Sequence, residues 1–138
     1  AFVQVNVSSS VRGVLRGLHY QWPNPQAKYV SVLEGEVYDV AVDIRRGSPT
    51  FGQYHGVELS ATNFRQFWIP AGFAHGFLVL SESADFLYKT TDYYAPAHER
   101  CIRWDDPTLA IEWPRANPPL VSAKDEAGAS FLTLTQDD

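Results

Sequence analysis

"EVYDVAVDI", residues 36 to 44, decides the fold class. Tyr38, Val40, Val42 and Ile44 share one face of an extended chain, and Val37, Asp39, Ala41 and Asp43 share the other. The same period of two recurs along most of the chain, predicting strands over residues 2–7, 11–20, 28–34, 36–45, 53–59, 64–69, 76–80 and 84–92. Turn-forming clusters separate them: "EG" at 34–35, "RRGSPTFG" at 45–52, "SATN" at 60–63 and "PAG" at 70–72. Many short strands with turns between them specify an all-β sandwich or small barrel. After Tyr94 the alternation weakens, and "APAHERCIRWDDPTLAIEWP" reads as loop with one short strand. "SAKDEAGA", residues 122–129, opens a short C-terminal helix with Ser122 as its cap.

Composition narrows the function. A chain of 138 residues, 45% hydrophobic, can bury the core of one domain and is not a disordered segment. Its formal net charge of -5 argues against nucleic-acid and anionic-membrane partners, though not against one anion held by local arginines. Cys101 is the single cysteine, so no intrachain disulfide forms and a reducing, cytoplasmic compartment is expected. No apolar run approaches a membrane span, and no signal peptide is visible. "AFVQVNVS" alternates from the first residue, Ala1, so an upstream segment is expected beyond the single domain of residues 1–138.

The residues that need explaining sit among the apolar strands. "VLRGLHYQ", residues 14–21, sets Arg16 and His19 beside Val14, Leu15 and Leu18. Lys28, Asp39, His75 and Tyr88 interrupt other strands in the same way. Burying such groups unpaired is costly. A small barrel whose strands converge their polar side chains in its mouth removes the cost and makes a ligand site.

Three chemistries compete for that site. Metal catalysis is poorly supplied, because no His-x-His pair exists and His75 stands alone on its strand. Nucleophilic hydrolysis lacks a G-x-S-x-G elbow, and Cys101 lies in a polar stretch with no adjacent base. General acid–base chemistry is fully supplied. A histidine takes a proton near neutral pH, a carboxylate fixes its tautomer, a tyrosine returns a proton, and a cation stabilises an enolate oxygen. Arg16, His19, Lys28 and Tyr88 provide these parts, with Asp125 or Asp39 as the carboxylate.

Four stretches carry a resemblance. "VRGVLRGLHYQ", "GEVYDVAVDIRRGSPTFGQ", "RQFWIPAGFAHGFLVLSESADFLYKTTDYYAP" and "IRWDDPTLAIEWP" resemble the dTDP-4-dehydrorhamnose 3,5-epimerases, metal-independent cupins. The resemblance runs from Phe2 to about Asp125. It implies a cupin-type jelly-roll barrel, a homodimer, and a dTDP-4-keto-6-deoxyhexose substrate whose C3 and C5 flank the C4 ketone, with no metal and no other cofactor. Carried over residue by residue, it implies His19 as general base oriented by Asp125, Tyr88 as general acid, and Lys28 at the enolate oxygen. Arg16, Gln4, Asn6, His75, Glu99 and Lys124 match positions that hold the nucleotide sugar.

The match has departures. The family commonly reads "QDNHS" where this chain reads "QVNVS", so Val5 and Val7 replace an acid and a histidine. The resemblance also implies roughly forty residues before Phe2, a domain-sized completion. That segment carries strands and a phosphate-binding arginine that reaches across the dimer.

Each residue has a plainer reading. His19 can be a core histidine, Lys28 an edge gatekeeper, Asp125 a first-turn acid, and Tyr88 a wall residue rivalled by Tyr93 and Tyr94. Asp39 can be the buried partner of His75. His55 and His98 read as surface residues, and Phe64, Phe67 and Trp68 as core or interface. Rival functions are an epimerase acting at one carbon, a ketoisomerase, a non-catalytic sugar-nucleotide binder, and a metal-dependent cupin.

Overall fold

The computed structural model describes residues 1–23, 25–93, 96–115 and 117–135. Nine strands run in chain order: β1 Gln4–Val11, β2 Leu15–Gln21, β3 Lys28–Glu34, β4 Glu36–Asp43, β5 Tyr54–Ser60, β6 Gln66–Ile69, β7 Phe73–Val79, β8 Ser83–Thr90 and β9 Glu99–Cys101. A short helix, α1, covers Ala123–Glu126. Two antiparallel sheets result, one ordered β1-β8-β3-β6 and the other β5-β4-β7-β2-β9. β1 pairs with β8, β2 with β7, β3 with β6, and β4 with β5. This nesting is one long antiparallel hairpin rolled into two layers, a cupin-like jelly roll. Among the described residues no helix is long and apolar enough to cross a membrane.

Eight strands fall where the alternation places them, with shifted ends. β1 runs on to Val11 instead of stopping at 7, because Ser8, Ser9 and Ser10 ladder onto Phe86, Asp85 and Ala84. The strand expected over 11–20 therefore starts at Leu15, after a turn through Gly13. β7 begins at Phe73 rather than 76, which sets His75 within the strand opposite Ala41. β9 is the one short strand expected in the weak segment after Tyr94.

The two faces of β4 serve two cores, as its alternation requires. Val37 and Ala41 join Val30, Val32, Leu59, Ile69, Phe77 and Phe86 in one cluster. Val40 and Val42 join Leu15, Leu18, Leu78, Ile102, Leu109, Trp113 and Phe131 in the other. The second cluster shows what the segment after β9 does: it covers the outer face of the five-stranded sheet. Buried Asp106 holds that cover in place, accepting from the backbone N–H of Thr108, Leu109 and Phe131 at 2.9, 3.2 and 2.7 Å. Of the aromatic run, Phe67 packs against the first core, whereas Phe64 and Trp68 are exposed. His55 is exposed and His98 half-buried.

β1 is polar inside and apolar outside. Its half-buried positions include Gln4, Asn6 and Ser8, while Val5 and Val7 are exposed. Such a strand lines a wet cavity rather than a dry core.

Phe86 stacks on Phe77 with ring centroids 4.4 Å apart and is 1% exposed. Replacing it with alanine leaves a void between the sheets. Phe86→Ala is expected to cost about 3–5 kcal/mol, read from denaturant unfolding curves.

Candidate active site

β2 departs from a regular strand midway along its length. Its pairing with β7 shifts register between Arg16 and His19. Gly17 permits the shift, with φ of +127° and a backbone so close to β7 that a Cβ would lie 2.7 Å from Gly76 Cα. No side chain fits there. The close crossing brings the Gly17 N–H to Asp125 Oδ2 at 3.0 Å. Asp125 Oδ1 lies 2.7 Å from His19 Nε2. Asp125 reaches this position because Ser122 caps α1, accepting from the Asp125 backbone N–H. The dyad thus joins residues 106 apart in the chain.

A cavity of about 350 Å³ opens between the sheets. The four-stranded sheet contributes Gln4, Asn6, Lys28 and Tyr88 to its wall. The five-stranded sheet contributes Arg16, His19, His75 and Glu99. Eight of the ten residues singled out by sequence therefore line one cavity. Asp125 stands behind His19 instead, and Lys124 is an exposed side chain outside the lining, 3.5 Å from Glu99. Val5 and Val7 are absent from the lining, so their departure from the family pattern leaves the cavity wall unaltered. Tyr93 is 65% exposed and does not line the cavity, while Tyr94 lies outside the described residues. Sequence reasoning missed Ser8, Gln21, Gln26 and Thr90 in the lining. The inward phase of β1 signalled Ser8; the others carry no distinguishing pattern.

A second dyad sits deeper. His75 Nε2 lies 2.9 Å from both oxygens of Asp39, and both residues are buried. Burial pushes the His75 imidazole below its ordinary value and the Asp39 carboxyl above its own, while each draws the other back. At the cavity wall, desolvation lowers the Lys28 ammonium to about 8, with Asp39 and Glu99 resisting the fall. Burial raises the Tyr88 phenol, and the Arg16 charge opposes it. Lys28 Nζ lies 5.8 Å from the centre of the Tyr88 ring.

Cys101 departs from its sequence reading. It sits on β9 directly opposite His19, and its Sγ lies 3.8 Å from Asp125 Oδ1. Burial and the adjacent Asp125 push its thiol up to about 12, so it stays protonated and is no nucleophile.

An imidazole backed by a carboxylate on one sheet, facing a phenol and an ammonium on the other, defines a jelly-roll enzyme equipped for proton transfer beside a carbonyl. Comparison with known proteins places it. The sequence pattern of the family dTDP-4-dehydrorhamnose 3,5-epimerase matches residues 1–133, and this chain belongs to that family of isomerases. It is 66% identical over 131 residues to the dTDP-4-dehydrorhamnose 3,5-epimerase of Pseudomonas aeruginosa, covering 95% of this chain and 72% of that protein. A crystal structure of dTDP-6-deoxy-D-glucose-3,5-epimerase from Legionella pneumophila, in complex with dTDP-4-keto-L-rhamnose, superposes with a TM-score of 0.94. It is 60% identical, covering all of this chain and 72% of that one. The 3'-monoepimerase ChmJ from Streptomyces bikiniensis, in complex with dTDP-quinovose, superposes at 0.92 with 40% identity, covering 98% of this chain and 69% of that one.

The dyad carries a pH signature in stability. Burial acts to raise Asp125, but hydrogen bonds from His19 and the Gly17 N–H outweigh it and hold the carboxyl below its ordinary value. A carboxyl lowered by folding stabilises above its unfolded value, and that contribution is lost as pH falls through the folded value. Asp125→Asn is therefore expected to flatten the acid limb of a stability curve measured below about pH 4.

Proposed function

We propose that this chain inverts C3 and C5 of dTDP-4-dehydro-6-deoxy-D-glucose, the epimerisation step of dTDP-L-rhamnose biosynthesis. The observation that carries this reading is the placement of His19 and Tyr88 on opposite sheets around one cavity. Inversion needs a proton removed from one face of the sugar and returned to the other, so base and acid must be different groups. Asp125 accepts from His19 Nε2, which leaves Nδ1 unprotonated to take the proton beside the ketone. The C–H electron pair moves into the enolate, and its negative oxygen is held by the Lys28 ammonium. Burial keeps the Tyr88 phenol protonated, ready to donate to the opposite face, and Arg16 steadies the phenolate left behind. Gln4, Asn6, His75, Glu99 and Lys124 bind the nucleotide sugar in this reading.

No metal or other cofactor is required by these steps. A second copy of the chain is the proposed partner, and exposed Phe2, Val5, Val7 and Trp68 on the four-stranded sheet offer it an apolar surface. A cytoplasmic location agrees with one unpaired cysteine. A single-position epimerase is the second reading, favoured by the likeness to the Streptomyces bikiniensis 3'-monoepimerase.

Incubation with the 4-keto-6-deoxy sugar nucleotide in deuterium oxide, followed by NMR, separates these readings. Label at both C3 and C5 with inversion is the expected result, and label at one carbon selects the second reading. Tight binding with no label at all leaves only a binder and sinks the proposal. His19→Ala should slow exchange at both carbons by roughly 10²–10⁴-fold. Tyr88→Phe should retain exchange while losing inversion; equal loss of both removes the assigned roles.

Lys28 predicts the alkaline limb of the rate. Arg16 and His19 on β2, Asp39 on β4, His75 on β7, Tyr88 on β8 and Glu99 on β9 are the charged or titratable groups around it. The ammonium is present below about 8 and lost above it, so kcat should decline as pH rises past that value. Lys28→Arg should move the decline upward, because a guanidinium keeps its charge. An unchanged pH profile in that variant removes Lys28 from the role.

A further inference from the structure

We propose that His19, Cys101 and Asp125 together form an inhibitory site for a soft divalent cation such as Zn²⁺, whose binding switches the acid–base dyad off. The three side chains present a nitrogen, a sulfur and a carboxylate oxygen, all within 4.8 Å of one another. A tetrahedral Zn²⁺ ion holds such donors roughly 3.3–3.6 Å apart, at bond lengths of about 2.0–2.3 Å. His19 Nε2 and Asp125 Oδ1 are 2.7 Å apart and Cys101 Sγ is 3.8 Å from the same oxygen. Shifts of about an ångström complete the site. Glu99 Oε1, 4.0 Å from His19 Nε2, stands ready as a fourth donor.

Access comes from two adjoining cavities. His19 lines the catalytic cavity. Cys101 lines an adjoining cavity of about 880 Å³, bounded by Arg100, Lys124 and Gly128, which shares Tyr20, Gln21, Gln26 and Lys28 with the catalytic cavity. A cation therefore has an approach to Cys101 beside its approach to His19.

The inhibition follows from proton bookkeeping. Binding replaces the Cys101 S–H bond with an S–Zn bond, and the proton leaves to solvent. The thiolate and the Asp125 carboxylate neutralise the two charges of the ion. His19 must offer the Nε2 lone pair, so its one ring proton moves from Nε2 to Nδ1. Nδ1 is the nitrogen assigned above to take the substrate proton, and a protonated Nδ1 cannot take it. The ion thus disables the base through the ring nitrogen turned toward Asp125.

Cobalt(II) tests the site without reference to any catalysed reaction. Titration of the wild-type protein with Co²⁺ should produce a thiolate-to-cobalt charge-transfer band in the near ultraviolet, together with the intense visible bands of four-coordinate cobalt. Cys101→Ser and Cys101→Ala should abolish the charge-transfer band. In the deuterium-exchange assay, Zn²⁺ should inhibit reversibly, with a chelator restoring activity. The half-inhibitory concentration should rise at least tenfold in both variants. No charge-transfer band in the wild type, or a band that persists in Cys101→Ala, overturns the proposal. So does zinc inhibition equal in all three proteins. Failure of the epimerase reading would leave the cobalt spectrum unaffected, so the two ideas fail separately.

Discussion

One carboxylate holds the site together. Asp125 is 4% exposed and accepts from the Gly17 N–H with one oxygen and from His19 with the other. A buried carboxylate is tolerated only when its oxygens are bonded, and these two bonds satisfy that need. They also tie the C-terminal helix to β2, segments more than a hundred residues apart in sequence. The same contact fixes which nitrogen of His19 carries the proton. Removing this one group would free α1 from the sheet and the imidazole from its hydrogen-bond partner at once.

That contact exists only because the five-stranded sheet is covered on both faces. β4 shows the demand most plainly, with Val37 and Ala41 in the inter-sheet core and Val40 and Val42 in the outer one. A two-layer roll alone would leave the second set in water. The segment after β9 supplies Leu109, Trp113 and Phe131 as a third layer, and Asp106 pins its turns through backbone N–H groups. α1 lies within this cover, before Phe131, so the packing that buries Val40 and Val42 also delivers Asp125 to the site.

Alternation made the strands and the layer class readable, because a period of two survives in a sheet whatever its neighbours are. It failed at the edges of β1 and β7, where ladder partners and not side-chain polarity set the ends. The polar residues of the cavity were readable as misfits on apolar strands, and the roles expected for them came from the family resemblance. The cover was not readable, since irregular backbone has no period and its apolar residues are spaced by turns. Cys101 was misread for a related reason. Its neighbours in sequence are Arg100 and Ile102, but its neighbours in space are His19 and Asp125, brought there by a register that no local pattern encodes.

Among the described residues are two histidine–aspartate pairs, and burial separates them. His75 and Asp39 are almost wholly buried, each shifted against its charged form, so the pair stands as a fixed dipole in the cavity wall. Any proton leaving it would strand a charge in a dry place. The side chain of His19 is 29% exposed and lines the cavity, while its aspartate is held as a carboxylate. The same two residue types therefore make a nearly buried pair in one place and a pair open to the cavity in the other, and the difference is set by which imidazole the rolled sheets leave exposed.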